Sequence, residues 1–342
     1  MAAHLPSSYK AVVAEGPGIP LKFIEVPLAQ PEAGQVLVRV LTCGVCHSDA
    51  ALQQGYLGPH LLPRVPGHEI VGDVVAVGDG VTKFGVGDRV GGTWHGGHDN
   101  TCRPCHVGLF QVCRNGIANG ISKDGGYAQY VLLRTEATVR VPKDMDPAEV
   151  APLLCAGVTV FNSIRKMAVE QGKLVAVQGI GGLGHLAIQF ANKMGYKVVA
   201  ISSGPSKKEL ARQLGAHEYI DTSASDPVDE LQSLGGAALI LATAPHPKAI
   251  SALTGALQVG GKLCVLAPVG QVEINTVNLI SKAAAVHGWP SGHALDCEDT
   301  IDFVRTHGVK CLVERFPLEE VQQATERMME NKVRFRSVLV VE

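Results

Sequence analysis

Leu174-Val-Ala-Val-Gln178 runs directly into Gly179-Ile180-Gly181-Gly182-Leu183-Gly184, and His185 opens the segment that follows. Within His185–Met194, the apolar residues Leu186, Ile188, Phe190, Ala191 and Met194 recur with helical spacing. Strand, G-x-G-x-x-G loop and helix are the order that a dinucleotide pyrophosphate requires. Gly179 makes the tight turn, Gly181 lets the backbone approach the phosphates, and Gly184 lets the helix pack on the strand. The helix N-terminus then turns its partial positive charge toward the ligand. Glycine is common in this chain, 39 of 342 residues, so the pattern alone would be weak. Its place between strand and helix separates it from an ordinary turn.

Outward from this loop, short apolar runs alternate with helical patterns. Val198–Ile201, Ala238–Ala242 and Leu263–Ala267 read as strands, with helices at Lys207–Leu214 and Lys248–Leu257. Such alternation predicts an α/β, doubly wound parallel sheet. The preceding half differs. Val36–Leu41, Ile70–Val77 and Tyr127–Leu133 are strand-like runs separated by Gly, Pro and Asp. Alternation is lost after Trp289, and Arg336–Val341 reads as a closing strand. Three segments follow: 1–153 β-rich, 154–288 doubly wound, and 289–342 returning to the first domain.

Charged residues make up 18% of the chain, and the net charge is −2. That balance supplies no electrostatic footprint for nucleic acid or an anionic membrane. Leu174–Asn192 lacks charged residues over a membrane-span length, but its glycines and polar residues fit strand, turn and helix better. The opening MAAHLPSSYK has no secretory pattern. Nine cysteines are too few for a disulfide scaffold of this size. A cytoplasmic protein is expected, in which clustered Cys means metal or redox chemistry.

Two cysteine groupings stand out. Asp99-x2-Cys102-x2-Cys105-x7-Cys113 can hold one zinc if a fourth ligand completes the tetrahedron. Asp99 continues the spacing, with His98 and His106 as rivals; three free surface thiols are the plainer alternative. The other grouping is dispersed: Cys46-His47-Ser48-Asp49, Gly67-His68-Glu69, and Cys155 in APLLCAGVTVF. Taken singly, each residue is more often core packing than a ligand. As a set they would make a Cys2His site with an open fourth position.

These segments, in this order over nearly the whole chain, resemble the zinc-dependent medium-chain alcohol dehydrogenases. The resemblance implies a GroES-like β-rich catalytic domain with a Rossmann domain inserted before its final strands. It implies that Cys46, His68 and Cys155 hold the catalytic zinc, with Glu69 and Asp49 supporting them, Asp49 by orienting His68. Ser48 matches the hydroxyl that takes the substrate proton. His47, Thr159 and Arg336 match cofactor contacts, Arg336 at the pyrophosphate. Trp94, Tyr56 and Leu57 fall where members with smaller pockets line the substrate cleft. The expected reaction is hydride transfer between a nicotinamide cofactor and a primary alcohol or aldehyde, with zinc as Lewis acid. The alternatives are an aldehyde reductase of the cinnamyl-alcohol-dehydrogenase type and an NAD-dependent enzyme oxidising alcohols. Zinc-free quinone and enoyl reductases of the same fold lack the three ligands, and a non-enzymatic dinucleotide-binding protein would not need them.

Three positions depart from the family pattern. Ala51 replaces the last relay His of many members, and Asp99 replaces the first of four structural-zinc cysteines. Ser202 stands at the end of the second strand, where a carboxylate favours NAD. Ser203, Lys207 and Lys208 follow, a run that resembles the NADP-using members. The expectation is therefore two zinc ions per chain, NADP(H) over NAD(H), and a homo-oligomer, a tetramer before a dimer. Cys43 has no assigned role.

Overall fold

The computed structural model describes residues 5–342. The chain forms two compact units, one of residues up to Cys155 with Gly292–Phe303 and Cys311–Glu342, the other of Ala156–Ser291 with Val304–Lys310. The α/β reading, with a β-rich unit and a doubly wound unit, holds. Residues 304–310 return to the second unit, an excursion that the three-segment reading does not contain.

In the second unit six parallel strands, numbered in chain order, take the spatial order 3-2-1-4-5-6. Leu174–Gln178 lies between Lys197–Ser202 and Ala237–Ala242, so the order reverses at the glycine loop. In such sheets ligands bind beyond the carboxyl ends of the strands at that switch point. Leu174–Gln178 and Ala237–Ala242 are buried along their whole length, as expected for parallel strands covered on both faces. Sequence reading misses Glu218–Asp221 and Ala285–Gly288, the two edge strands, because neither carries an apolar run. Leu174–Asn192 resolves into strand, loop and helix. Among the described residues no single helix is long and apolar enough to cross a membrane.

In the first unit seven strands form a mostly antiparallel sheet. Its order runs Val313–Pro317, Arg336–Val340, Gln35–Gly44, Ile70–Val77, Arg89–Gly92, Thr138–Arg140, with Tyr130–Arg134 also paired to Gln35–Gly44. Val36, Val38, Ile70, Val90 and Leu339 are among its buried core residues. Cys43 faces Ile70 across one ladder and Leu339 across the other. The end of Gln35–Gly44 therefore lies beside the start of Ile70–Val77, and the Gly44 N–H donates to the Glu69 carbonyl at 3.0 Å. This antiparallel register brings the loop after Gly44 against the loop before Ile70.

Candidate metal centres and dinucleotide loop

Those two loops carry Cys46 and His68. Cys46 caps the helix His47–Gln53, and its N–H donates to Asp49 Oδ2 at 2.9 Å. Cys155 ends the 3-10 turn Ala151–Leu154, which the Thr93 hydroxyl ties down through the Leu154 carbonyl at 2.5 Å. Cys46, His68, Glu69 and Cys155 converge, with ligand atoms all within 4.8 Å of one another. His68 is fully buried, and its Nε2 has no hydrogen-bond partner in the protein. A buried imidazole nitrogen left without a partner beside two thiols fits a zinc ion, which takes such a nitrogen and such sulfurs as ligands. The Cys155 thiol, followed by His68, draws the Cys46 thiol well below its ordinary pKa against the effect of burial.

The remaining contacts hold this set in place. Asp49 Oδ1 lies 3.2 Å from His68 Nδ1 and accepts from the Gly67 N–H at 3.1 Å. Its Oδ2 accepts from the Tyr127 hydroxyl at 3.1 Å as well as from Cys46. With Nδ1 facing a carboxylate, the Nε2 lone pair is the one left for a metal. Glu69 is buried, with one oxygen paired to Arg336 and the other without a hydrogen-bond partner. Burial pushes Glu69 up to about 7, with Arg336 opposing the rise. Arg336, expected at the pyrophosphate, is 4% exposed and donates to Glu69 and to the Val45 carbonyl. Its strand position beside Gln35–Gly44 turns it toward the buried acid, a partner the motif comparison does not supply.

Ser48 Oγ lies 3.7 Å from Cys46 Sγ. Trp94 meets His68 edge-on, with ring centroids 5.2 Å apart. Tyr56 and Leu57, expected with Trp94, are 82% and 39% exposed on the loop after the helix. His47 is exposed, and Thr159 lies in the first turn of the helix Ala156–Met167. Cys43 is a core thiol, buried between sheet neighbours.

A second cluster gathers Asp99, Cys102, Cys105 and Cys113, again within 4.8 Å of one another. Cys102 Sγ lies 3.6 Å from Cys105 Sγ and 3.8 Å from Cys113 Sγ, and Cys113 Sγ lies 3.4 Å from Asp99 Oδ1. A tetrahedron with Zn–S of ~2.3 Å has edges of about 3.8 Å, so the donors already stand at zinc spacing. The rival histidines are engaged elsewhere. His98 Nδ1 lies 3.1 Å from His95 Nε2, and His106 Nε2 lies 3.0 Å from the Asn100 carbonyl.

In the second unit Gly179 adopts φ +91°, and a Cβ on Gly184 would fall 1.9 Å from the Gly179 carbonyl oxygen. A Cβ on Gly181 would meet nothing within 4 Å. Close packing at Gly184 and open space at Gly181 are the features that admit a pyrophosphate above the helix Gly184–Lys193. Ser202 ends its strand and Ser203 is exposed, while Lys207 Nζ donates to the Ile180 carbonyl at 2.9 Å.

Comparison with known proteins meets this geometry at both ends of the chain. The family described as "Alcohol dehydrogenase GroES-like domain" matches residues 32–143, and "Zinc-binding dehydrogenase" matches residues 182–306. "Alcohol dehydrogenase patD" of Penicillium expansum is 53% identical over 341 residues, covering 100% of both chains. The chain belongs to the medium-chain alcohol dehydrogenase family. "Alcohol dehydrogenase notN" of an Aspergillus species is 48% identical, with 99% of each chain covered. Among solved structures, a cinnamyl alcohol dehydrogenase of Sorghum bicolor superposes with a TM-score of 0.89 at 32% identity, covering 97% of each chain. The protein is thus an alcohol/aldehyde oxidoreductase that uses zinc and a nicotinamide cofactor.

Sequence reasoning misses Tyr127, whose hydroxyl donates to Asp49. Tyr127 had a signal, since a tyrosine in an apolar, glycine-flanked run needs a buried partner for its hydroxyl.

Proposed function

We propose that Cys46, His68 and Cys155 hold the catalytic zinc of a dehydrogenase that interconverts primary alcohols and aldehydes. The observation that carries this reading is the buried His68 Nε2 without a hydrogen-bond partner beside the two thiols. When bound, zinc supplies Lewis acidity to the substrate oxygen and the nicotinamide exchanges hydride with the carbinol carbon. The chain's own residues do the rest. Asp49 fixes the tautomer and orientation of His68. Arg336 balances the Glu69 charge, keeping a carboxylate beside the ligand set. Ser48 would take the substrate proton, and Ala51 in the relay position offers no side-chain group to pass it on. Trp94 shapes the cleft beside His68, while His47 and Thr159 serve the cofactor. The exposure of Tyr56 and Leu57 gives them less support as lining residues.

Asp99, Cys102, Cys105 and Cys113 are proposed to hold a second, structural zinc. NADP(H) is proposed over NAD(H), because Ser202 removes the carboxylate that repels a 2′-phosphate, and Ser203 and Lys207 offer donors. An aldehyde-reducing role of the cinnamyl-alcohol-dehydrogenase type follows that preference. A cytoplasmic homo-oligomer is also proposed, a tetramer before a dimer. The open edge strand Ala285–Gly288 and the exposed Val277 and Ile280 support self-association. A turnover panel of alcohols and aldehydes with both cofactors tests the reading. Turnover that survives loss of the buried zinc, or a preference for NAD(H), would refute the corresponding part.

A further inference from the structure

The loop that follows Ser202 is held from the neighbouring strand. Glu218–Asp221 pairs in parallel with Lys197–Ser202, and Asp221 is the register partner of Ser202. Tyr219 and Asp221, two residues apart, present their side chains on one face of that strand. Both grip Gly204: its N–H donates to Asp221 Oδ1 at 2.7 Å, and its carbonyl accepts from the Tyr219 hydroxyl at 2.5 Å. The far end of the loop is tied by Lys207 Nζ to the Ile180 carbonyl in the glycine loop. Gly204 itself adopts φ +76°, a conformation these contacts must hold against the alternatives open to glycine.

Asp221 ends the strand next to the one that lacks a ribose-binding acid, yet it is a poor substitute for that acid. Its Oδ1 already accepts from Gly204, from the Ser223 N–H at 2.9 Å and from the Ser223 hydroxyl at 2.6 Å. That oxygen is therefore committed to the shape of its own loop and of the one beside it.

We propose that Tyr219 and Asp221 are positioning residues that pre-form the Ser202–Lys207 loop for an adenosine ribose carrying a 2′-phosphate. Ser202, Ser203 and Lys207 then meet the phosphate without an ordering cost at the moment of binding. This inference rests on the NADP(H) reading above.

The test is calorimetric binding of 2′,5′-ADP and of 5′-AMP to the zinc-loaded protein, with no turnover involved. Wild type binds 2′,5′-ADP more tightly than 5′-AMP. Asp221→Ala, which removes the acceptor of Gly204 and Ser223, and Tyr219→Phe, which removes the donor to the Gly204 carbonyl, each weaken 2′,5′-ADP by roughly 3- to 10-fold and leave 5′-AMP within about twofold. Asp221→Asn keeps an oxygen for the Gly204 N–H and removes the negative charge, so it binds 2′,5′-ADP at least as tightly as wild type. Amide hydrogen exchange at Gly204, measured without nucleotide, accelerates in Asp221→Ala and not in Asp221→Asn. Equal wild-type affinity for the two nucleotides overturns the NADP(H) reading and this inference with it. Where wild type keeps its preference, an unchanged preference in Asp221→Ala and Tyr219→Phe overturns the positioning role alone. So does an equal loss on both nucleotides, since it marks general damage to the sheet edge.

Discussion

Cys46, His68, Glu69 and Cys155 come from three separated segments, whereas Asp99, Cys102, Cys105 and Cys113 come from one loop. The first set is framed by buried groups: Asp49 receives Tyr127, Gly67 and Cys46, and Arg336 reaches Glu69 from another strand. The second is framed locally, by the Asn115 amide on Asp99 at 2.5 Å and the Arg114 N–H on Cys102 at 3.5 Å. The geometry of the first cluster thus depends on the whole sheet, and that of the second on the conformation of one loop. A site that must keep a coordination position for substrate needs its other ligands fixed from outside; a closed site can let the metal organise the loop.

The sharpest test of that contrast is Cys46→Ser. It should reduce turnover to background and release one zinc, while the other zinc and 2′,5′-ADP binding persist. Metal analysis beside calorimetry decides it, and loss of both ions together would show that the clusters are not independent. Tyr127→Phe comes next. Removing the hydroxyl that Asp49 accepts should weaken zinc at the buried cluster by ~10-fold, within the range known for outer hydrogen-bond partners of metal ligands. Chelator competition should show the second cluster unaffected. Asp99→Cys should act the other way, slowing chelator extraction of the second zinc several-fold, because a thiolate replaces a harder carboxylate. Unchanged extraction would mean that Asp99 contributes nothing to that site.

The smallest effect concerns His95, which is buried beside His98. Burial, then the neighbouring His98, His293 and Arg134, push its pKa down to about 3 from 6.5. Between those values the unfolded chain binds a proton that the folded chain refuses, so stability falls as pH is lowered through this window. The slope is at most ~1.4 kcal/mol per pH unit for one proton. Denaturant unfolding at pH 7 and pH 5 should show wild type losing more stability than His95→Gln; equal losses would assign the acid sensitivity elsewhere.

Much of the architecture was legible because it is written locally. The glycine loop between Leu174–Gln178 and its helix, and the Cys102–Cys113 spacing, each declare themselves within a few residues. What could not be read depends on register between distant strands. Arg336 faces Glu69 only because Arg336–Val340 pairs with Gln35–Gly44. Glu218–Asp221 offers one buried side chain and two charged ones, too little pattern for a strand, although it supports the loop after Ser202. Tyr56 and Leu57 were placed by motif position alone, and their exposure depends on a loop whose course no motif states.

The pairing of Arg336–Val340 with Gln35–Gly44 also sets an order of assembly during synthesis. The loop of Asp99, Cys102, Cys105 and Cys113 draws its four donor groups, and the Arg114 and Asn115 contacts on them, from one short stretch of chain, so all its parts are present early. The buried cluster must wait for Cys155. Its Glu69 then stays without its guanidinium partner until the whole nucleotide-binding unit has been synthesised and the strand bearing Arg336 has docked. Contacts of such large sequence separation form late and slowly. The buried cluster therefore gains its last buried ion pair only when the final strand docks.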